Sequence, residues 1–279
     1  MEPDDMAMMA TAPDVDIAGM APVGGSIGKL AAILQRRGLD PNAACFTEDR
    51  PDDTDEYQTQ VYRQAWENSL RRSEHHDYLR YQLAHLEEGE REFLRKYVEQ
   101  HVAVRKMQRQ QSKLPPEERQ HLRPNILNVI LAGSVGAGKT VAAAAAARYA
   151  VDNGLMARFV PHTLYLDWLR PDRAPSGMTA LSVVEFYERC DLLVLDDLGH
   201  EMEQYATNHV RTKTSELITA RINSNRPTLF TTNLTSEQIT EVLGDALFSR
   251  IGMRAEVWEM TGVDRRQPKQ WGKRREPRG

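Results

Sequence analysis

The feature that most constrains the 279-residue chain is the stretch 126–142, I-L-N-V-I-L-A-G-S-V-G-A-G-K-T-V-A. It begins as an apolar run, 126–132, with the β-branched residues that a buried parallel strand favours. It turns into Gly133, Ser134, Val135, Gly136, Ala137, Gly138, Lys139 and Thr140, which fit G-x-x-x-x-G-K-[ST] at every fixed position. Val141 opens an alanine-rich run reaching Ala150, a helix-forming composition. Glycines let the backbone curl until successive N–H groups point inward, and a following helix adds the positive end of its dipole. Residues 133–141 are therefore expected to cradle the phosphates of ATP. Lys139 would reach the β- and γ-phosphates, and the Thr140 hydroxyl would ligate Mg²⁺. A chance glycine loop before an ordinary helix is the competing interpretation, and the strand and helix on its two sides weigh against it.

Four more short apolar runs follow, at 156–160, 191–196, 228–232 and 255–260, separated by helical stretches. That alternation predicts an α/β fold, a three-layer parallel sheet with helices on both faces. Ligands in such sheets sit at the carboxyl ends of the strands, where the glycine loop lies. The run L-L-V-L-D-D ends in Asp196 and Asp197. A strand that terminates there holds Asp196 where it can position Mg²⁺ and Asp197 where it can orient or deprotonate the attacking water. Asn233 follows T-L-F-T-T and would lie beside the γ-phosphate if that strand neighbours the glycine-loop strand. Thr235 and Gln238 form a capping box for the next helix, so an ordinary helix start is the other interpretation of this turn. Arg250, in D-A-L-F-S-R-I-G, cannot easily reach its own nucleotide in such a sheet and could reach a neighbour's; a surface salt-bridge role competes.

The remainder is organised by charge and period. The net charge of −4 divides into −8 over 1–57, +3 over 58–123, −5 over 124–264 and +6 over 265–279. Residues 1–56 are expected to be an acidic, mostly disordered segment with one short helix at 26–37. Residues 57–123 form a helical region and linker, with Leu79, Leu83, Leu86, Phe93, Tyr97 and Val104 at helical steps and a break at Ser73 or Gly89. Its far end carries Arg105, Lys106, Arg109 and Lys113, either a partner- or DNA-contacting arm or a solvated face. The core spans 124–266. The tail 267–279 is basic, with Trp271 able to stack on a base, or else a solubilising extension. Two cysteines, Cys45 and Cys190, exclude a Cys₄ or Cys₃His zinc site and suit a reducing cytoplasm. No apolar run approaches a membrane span, and the acidic start lacks a signal-peptide layout.

With these pieces in order, residues 124–266 resemble the AAA+ ATPases of the DnaC/IstB-like family, the bacterial helicase loaders and transposition helpers. The resemblance rests on L-N-V-I-L-A-G-S-V-G-A-G-K-T, D-L-L-V-L-D-D-L-G-H-E, R-P-T-L-F-T-T-N-L-T, L-F-S-R-I and the close M-T-G-V-D-R-R. It implies Mg²⁺ at Asp196, water activation by Asp197, Asn233 as sensor 1, Arg250 as a finger acting in trans, and Arg266 as the family's C-terminal arginine. Family members often carry a second arginine where this chain has Ala246. The 13 residues after Arg266 are too few for the helical lid common in AAA+ proteins. The expectation is thus an assembly-dependent, cytoplasmic ATPase that forms homo-oligomers. It would load a replicative DNA helicase onto single-stranded DNA through its N-terminal helices. The alternatives are a helper that assembles on duplex DNA to stimulate a transposase, and a nucleotide-gated DNA-binding scaffold with little hydrolysis.

Overall fold

The computed structural model describes residues 55–261, apart from Lys113, His121, Pro171 and 200–207. Among the described residues five parallel strands form one sheet: β1 (Asn128–Ala132), β2 (Ala157–Pro161), β3 (Leu192–Asp196), β4 (Thr228–Thr232) and β5 (Ala255–Glu259). Their spatial order is β2-β3-β4-β1-β5. Each strand falls within a residue or two of a run read in the sequence; β1 to β4 are largely buried, as apolar stretches covered on both faces are, whereas β5, at one edge, is A-E-V-W-E and mostly exposed. β3 and β4 are buried along their whole length. All strands run the same way, so their carboxyl ends gather at one end of the sheet. The other end is called the foot below.

Two hydrophobic clusters cover the two faces. On the first lie α1 (Asp55–Arg72), two 3₁₀ turns (His76–Arg80 and Leu83–His85), α2 (Glu88–Gln111) and α3 (Lys139–Asp152). On the second lie α4 (His162–Trp168), α5 (Ala180–Glu188), α6 (Asn208–Asn223), α7 (Ser236–Leu243) and α8 (Asp245–Gly252). Ala142, Ala143, Ala144, Ala145, Ala146, Ala147 and Ala150 of α3 are all buried. A helix apolar on every side belongs between other layers, and small side chains let both neighbours approach closely. The sheet packs on one side of α3, and α1 and α2 pack on the other.

α1 and α2 are polar helices with one apolar stripe each. Leu94, Tyr97, Val98 and His101 of α2 are buried at three- and four-residue steps. The Tyr97 hydroxyl donates to the Leu127 carbonyl at 3.0 Å, and Gln100 Nε2 donates to the Ile126 carbonyl at 3.1 Å, tying α2 to the entrance of β1. Trp66 and Leu70 of α1 join the same cluster, each worth about 1.5–3 kcal/mol of apolar burial. α1 lies along β2, one of the two edge strands, and Ser69 Oγ accepts the Phe159 N–H at 3.1 Å. A side-chain oxygen thus satisfies a backbone donor that no further strand pairs. Ser73 ends α1: its hydroxyl donates back to the carbonyls of Ser69 and Leu70, and Glu74 takes φ 60°. Gly89 breaks nothing, lying within the first turn of α2.

The foot holds a buried cation. Arg221, 1% exposed, donates to the carbonyls of Tyr187, Glu188, Cys190 and Pro227 and to the Thr228 hydroxyl at 2.6–3.0 Å. One guanidinium therefore closes the carbonyls at the end of α5 and the entrances of β3 and β4. Cys190 is a buried free thiol. Among the described residues no helix is long and apolar enough to cross a membrane.

Candidate nucleotide site

β1 runs directly into the glycine loop. Gly133 has φ 146°, and a Cβ there would lie 2.3 Å from the Met260 carbonyl oxygen. No other residue fits without moving backbone. The Met260 N–H in turn donates to the Ala132 carbonyl at 2.7 Å, so the end of β5 is fastened to the start of the loop. Gly138, at φ 99°, makes the left-handed step that opens α3. Ser134 and Val135 form the exposed crest of the loop, whereas Gly136 and Ala137 are buried.

Lys139 is 7% exposed and lies under the crest. Its Nζ donates to the carbonyls of Gly133 at 2.8 Å and Ser134 at 2.7 Å, and to Asn233 Oδ1 at 2.7 Å. Asn233 is the residue after β4, which pairs in parallel with β1, and that pairing brings the two side chains together. Asn233 Nδ2 then donates to Asp197 Oδ1 at 2.9 Å. The amide orientation is forced, since an ammonium only donates and a carboxylate only accepts. Asp197 sits at φ 54°, with its N–H donated to Thr231 Oγ1 at 2.8 Å. The Thr231 hydroxyl donates to Asp196 Oδ1 at 2.6 Å. The Thr140 side chain also hydrogen-bonds Asp196. A continuous polar chain therefore links Lys139, Asn233, Asp197, Thr231, Asp196 and Thr140. Burial holds the Asp196 carboxyl above the ordinary carboxylate range, and the hydrogen bonds from Thr231 and Thr140 pull the other way.

Thr231 is the member that sequence reasoning missed. Its signal is a hydroxyl residue ending an otherwise apolar strand, legible only once β4 is known to lie beside β3. The donor set suits Mg²⁺ rather than a cage metal. Among the described residues no three His, Cys, Asp or Glu side chains gather to hold an ion. A hydroxyl and one carboxylate match an ion that keeps waters and uses phosphate oxygens.

Arg250 lies elsewhere. α8 feeds β5, whose first residue is level with Asn128, the first of β1, so Arg250 is at the foot. Its exposed guanidinium donates to Thr219 Oγ1 at 3.1 Å and lines a groove of about 970 Å³ between α5, α6 and α8. Ala246 lines the same groove. The expected helix at 26–37, Cys45, Arg266, Trp271 and the basic tail lie outside the described residues.

Fold and loop together define an ATP-binding α/β class. A family model described as IstB-like ATP binding protein matches residues 121–269, and the chain belongs to that family. The replicative helicase loader DnaC of Escherichia coli strain K12 is 24% identical over 149 residues, 53% of this chain and 60% of that protein. The chain thus spans under two thirds of the length of the curated relatives it matches. Among solved structures, that of DnaI superposes with a TM-score of 0.51 at 22% identity, covering 68% of this chain and 93% of that one. The DnaC helicase loader gives 0.48 at 21% identity, covering 66% and 99%. The DnaI likeness establishes the AAA+ fold.

Proposed function

We propose that the chain is an assembly-dependent ATPase that delivers a replicative DNA helicase onto single-stranded DNA. The observation that carries the ATPase reading is the polar chain from Lys139 to Thr140. In this reading the phosphates take over the Lys139 ammonium from the carbonyls of Gly133 and Ser134, and the N–H groups of 133–141 face them. Asn233, freed toward the γ-phosphate, still holds Asp197. Asp197 orients the attacking water and accepts its proton. Thr140 and Asp196 would hold Mg²⁺, which when bound would neutralise charge developing on the phosphate oxygens. Thr231 keeps Asp196 aimed and restrains Asp197 through its backbone.

Arg250 and the nucleotide loop lie at opposite ends of one sheet, which supports assembly dependence: the arginine completes a second copy's site. The helicase reading follows the similarity to a replicative helicase loader. The resemblance to IstB-like transposition helpers, whose family model matches 121–269, supports a second reading, a helper that assembles on duplex DNA. The chain is expected in the cytoplasm. ATP turnover per subunit should rise with protein concentration, and Arg250→Ala should remove that rise, by roughly the 10³–10⁵-fold an arginine finger supplies, while ATP binding persists. Turnover that stays intact in Arg250→Ala at high concentration would sink the trans-acting role. Capture by the full chain of a replicative helicase rather than a transposase separates the two readings.

A further inference from the structure

Two cavities open on either side of Leu155 and Met156, the residues leading into β2 at the foot. The first, about 460 Å³, lies between the start of α1, the last turns of α2 and the end of α3, with Arg105, Lys106 and Arg109 in its wall. The second, about 350 Å³, lies beside Arg158 and Phe186. Leu155 lines the first and Met156 the second, so consecutive residues separate them.

The charges around them do not balance. Asp152 is taken by Arg63 at 2.8 Å, Asp191 by Arg105 at 3.1 Å, and Glu185 by Arg189 at 3.3 Å. Among the described residues no carboxylate lies within 4.0 Å of Arg72, Lys106, Arg109 or Arg158. Arg109 donates to the neutral Tyr62 hydroxyl at 3.1 Å. Arg72 and Arg158 crowd one ring: their guanidinium carbons lie 5.4 and 3.1 Å from the Phe186 centroid. Their other contacts are thioethers, Met178 for Arg72 and Met156 for Arg158. Arg158 Nε is buried with no hydrogen-bond partner. Ring faces and thioethers are weak substitutes for an oxyanion, with which a guanidinium makes its strong, forked hydrogen bonds. Arg158 is half-buried, and its enclosed Nε, left without an acceptor, calls for an anion.

We infer that the foot of the sheet beside β2 is a track for the phosphodiester backbone of a nucleic-acid strand, which crosses Leu155 and Met156 and places phosphates in both cavities. A small anion would fill one opening and leave the other unneutralised. A polymer with regular charges serves both, and Arg72, Arg109 and Arg158 present the planar fork that phosphate accepts. Gln58, Gln110 and Asn153 line the first cavity with amides suited to backbone oxygens, so binding is indifferent to sequence. The inference rests on the proposed role at DNA only for the choice of polymer. It puts the strand at the opposite end of the sheet from the nucleotide loop, so strand and ATP do not compete.

The test uses the full chain and a fluorescein-labelled single-stranded oligonucleotide, by anisotropy across a salt series. The double variant Arg72→Glu with Lys106→Glu changes two exposed side chains outside the core. It should bind about tenfold or more weakly at low salt, with a salt slope shallower by about 0.7 per lost phosphate contact. ATP affinity and melting temperature should not move. Unchanged affinity and slope would overturn the track while leaving the DNA reading standing. Displacement of the oligonucleotide by polyglutamate as effective as by unlabelled DNA would overturn the nucleic-acid assignment. A wild-type chain that binds no nucleic acid would overturn the track and the DNA reading together, and ATP binding, measured separately, would be untouched.

Discussion

Lys139 and Arg221 are buried cations at opposite ends of one sheet, and both are held by carbonyl oxygens. Arg221 binds the fixed ends of regular elements, and its acceptors surround it entirely. Lys139 binds carbonyls of a loop whose crest is exposed, together with an amide that also serves Asp197. Burial of a charge is therefore silent about role. What separates the two is whether the surrounding acceptors are locked into the fold or lie on an open loop within reach of a ligand.

That contrast can be broken most directly at Arg221. Arg221→Leu leaves several buried carbonyls without a donor, and should cost about 3–5 kcal/mol, lowering the melting temperature by roughly 10 °C. ATP affinity of the folded fraction should hold. A calorimetric melt that does not shift would erase the distinction.

Acid should test both ends at once. His162, just past β2 at the site end, and His101, against Ile126 at the foot, are each pushed down to about 4 by burial. The unfolded chain takes up these protons near pH 6.5 and the folded chain only near 4, so stability is full above about 6.5 and drains as pH falls toward 4. Each histidine accounts for at most about 3 kcal/mol. His162 Nε2 meets Thr214 Oγ1 at 2.9 Å, and that hydroxyl already donates to the Val210 carbonyl, so Nε2 carries the proton. Urea melts of His162→Gln and His101→Gln between pH 7 and 4 should each be flatter than the parent's; an unaltered pH slope in either would remove that end from the account.

Lys139→Met should act in the opposite manner to the change at Arg221. ATP affinity should fall by about 10- to 100-fold, the worth of one charged hydrogen-bonding group, with little change in melting. A large stability loss without an affinity loss would make Lys139 structural. Smallest is the exposed pair of Arg63 and Asp152, 2.8 Å apart between α1 and α3. A double-mutant cycle in urea should return no more than about 1 kcal/mol of coupling.

The sheet was legible in the sequence because buried parallel strands write themselves as apolar runs, and the glycine loop because its backbone tolerates so few residues. The capping box of Thr235 and Gln238 also reads directly, being local. Strand order does not read directly, since nothing in 228–232 names its neighbours. Thr231 stayed invisible for that reason, and so did Arg221, whose acceptors come from three separate elements. The polar helices α1 and α2 announce a stripe but not the surface that receives it, and the receiving surface here is an alanine helix with almost no pattern of its own.

The placement of Ser69 against Phe159 has a practical reach. α1 shields the flank of the outermost strand, and α1 and α2 together sheath the alanine helix. A chain trimmed to begin at Pro124 would lose both shields, leaving unclaimed amide groups along one margin and a bald methyl surface beside them. Such a fragment is expected to clump on expression, however intact its nucleotide loop.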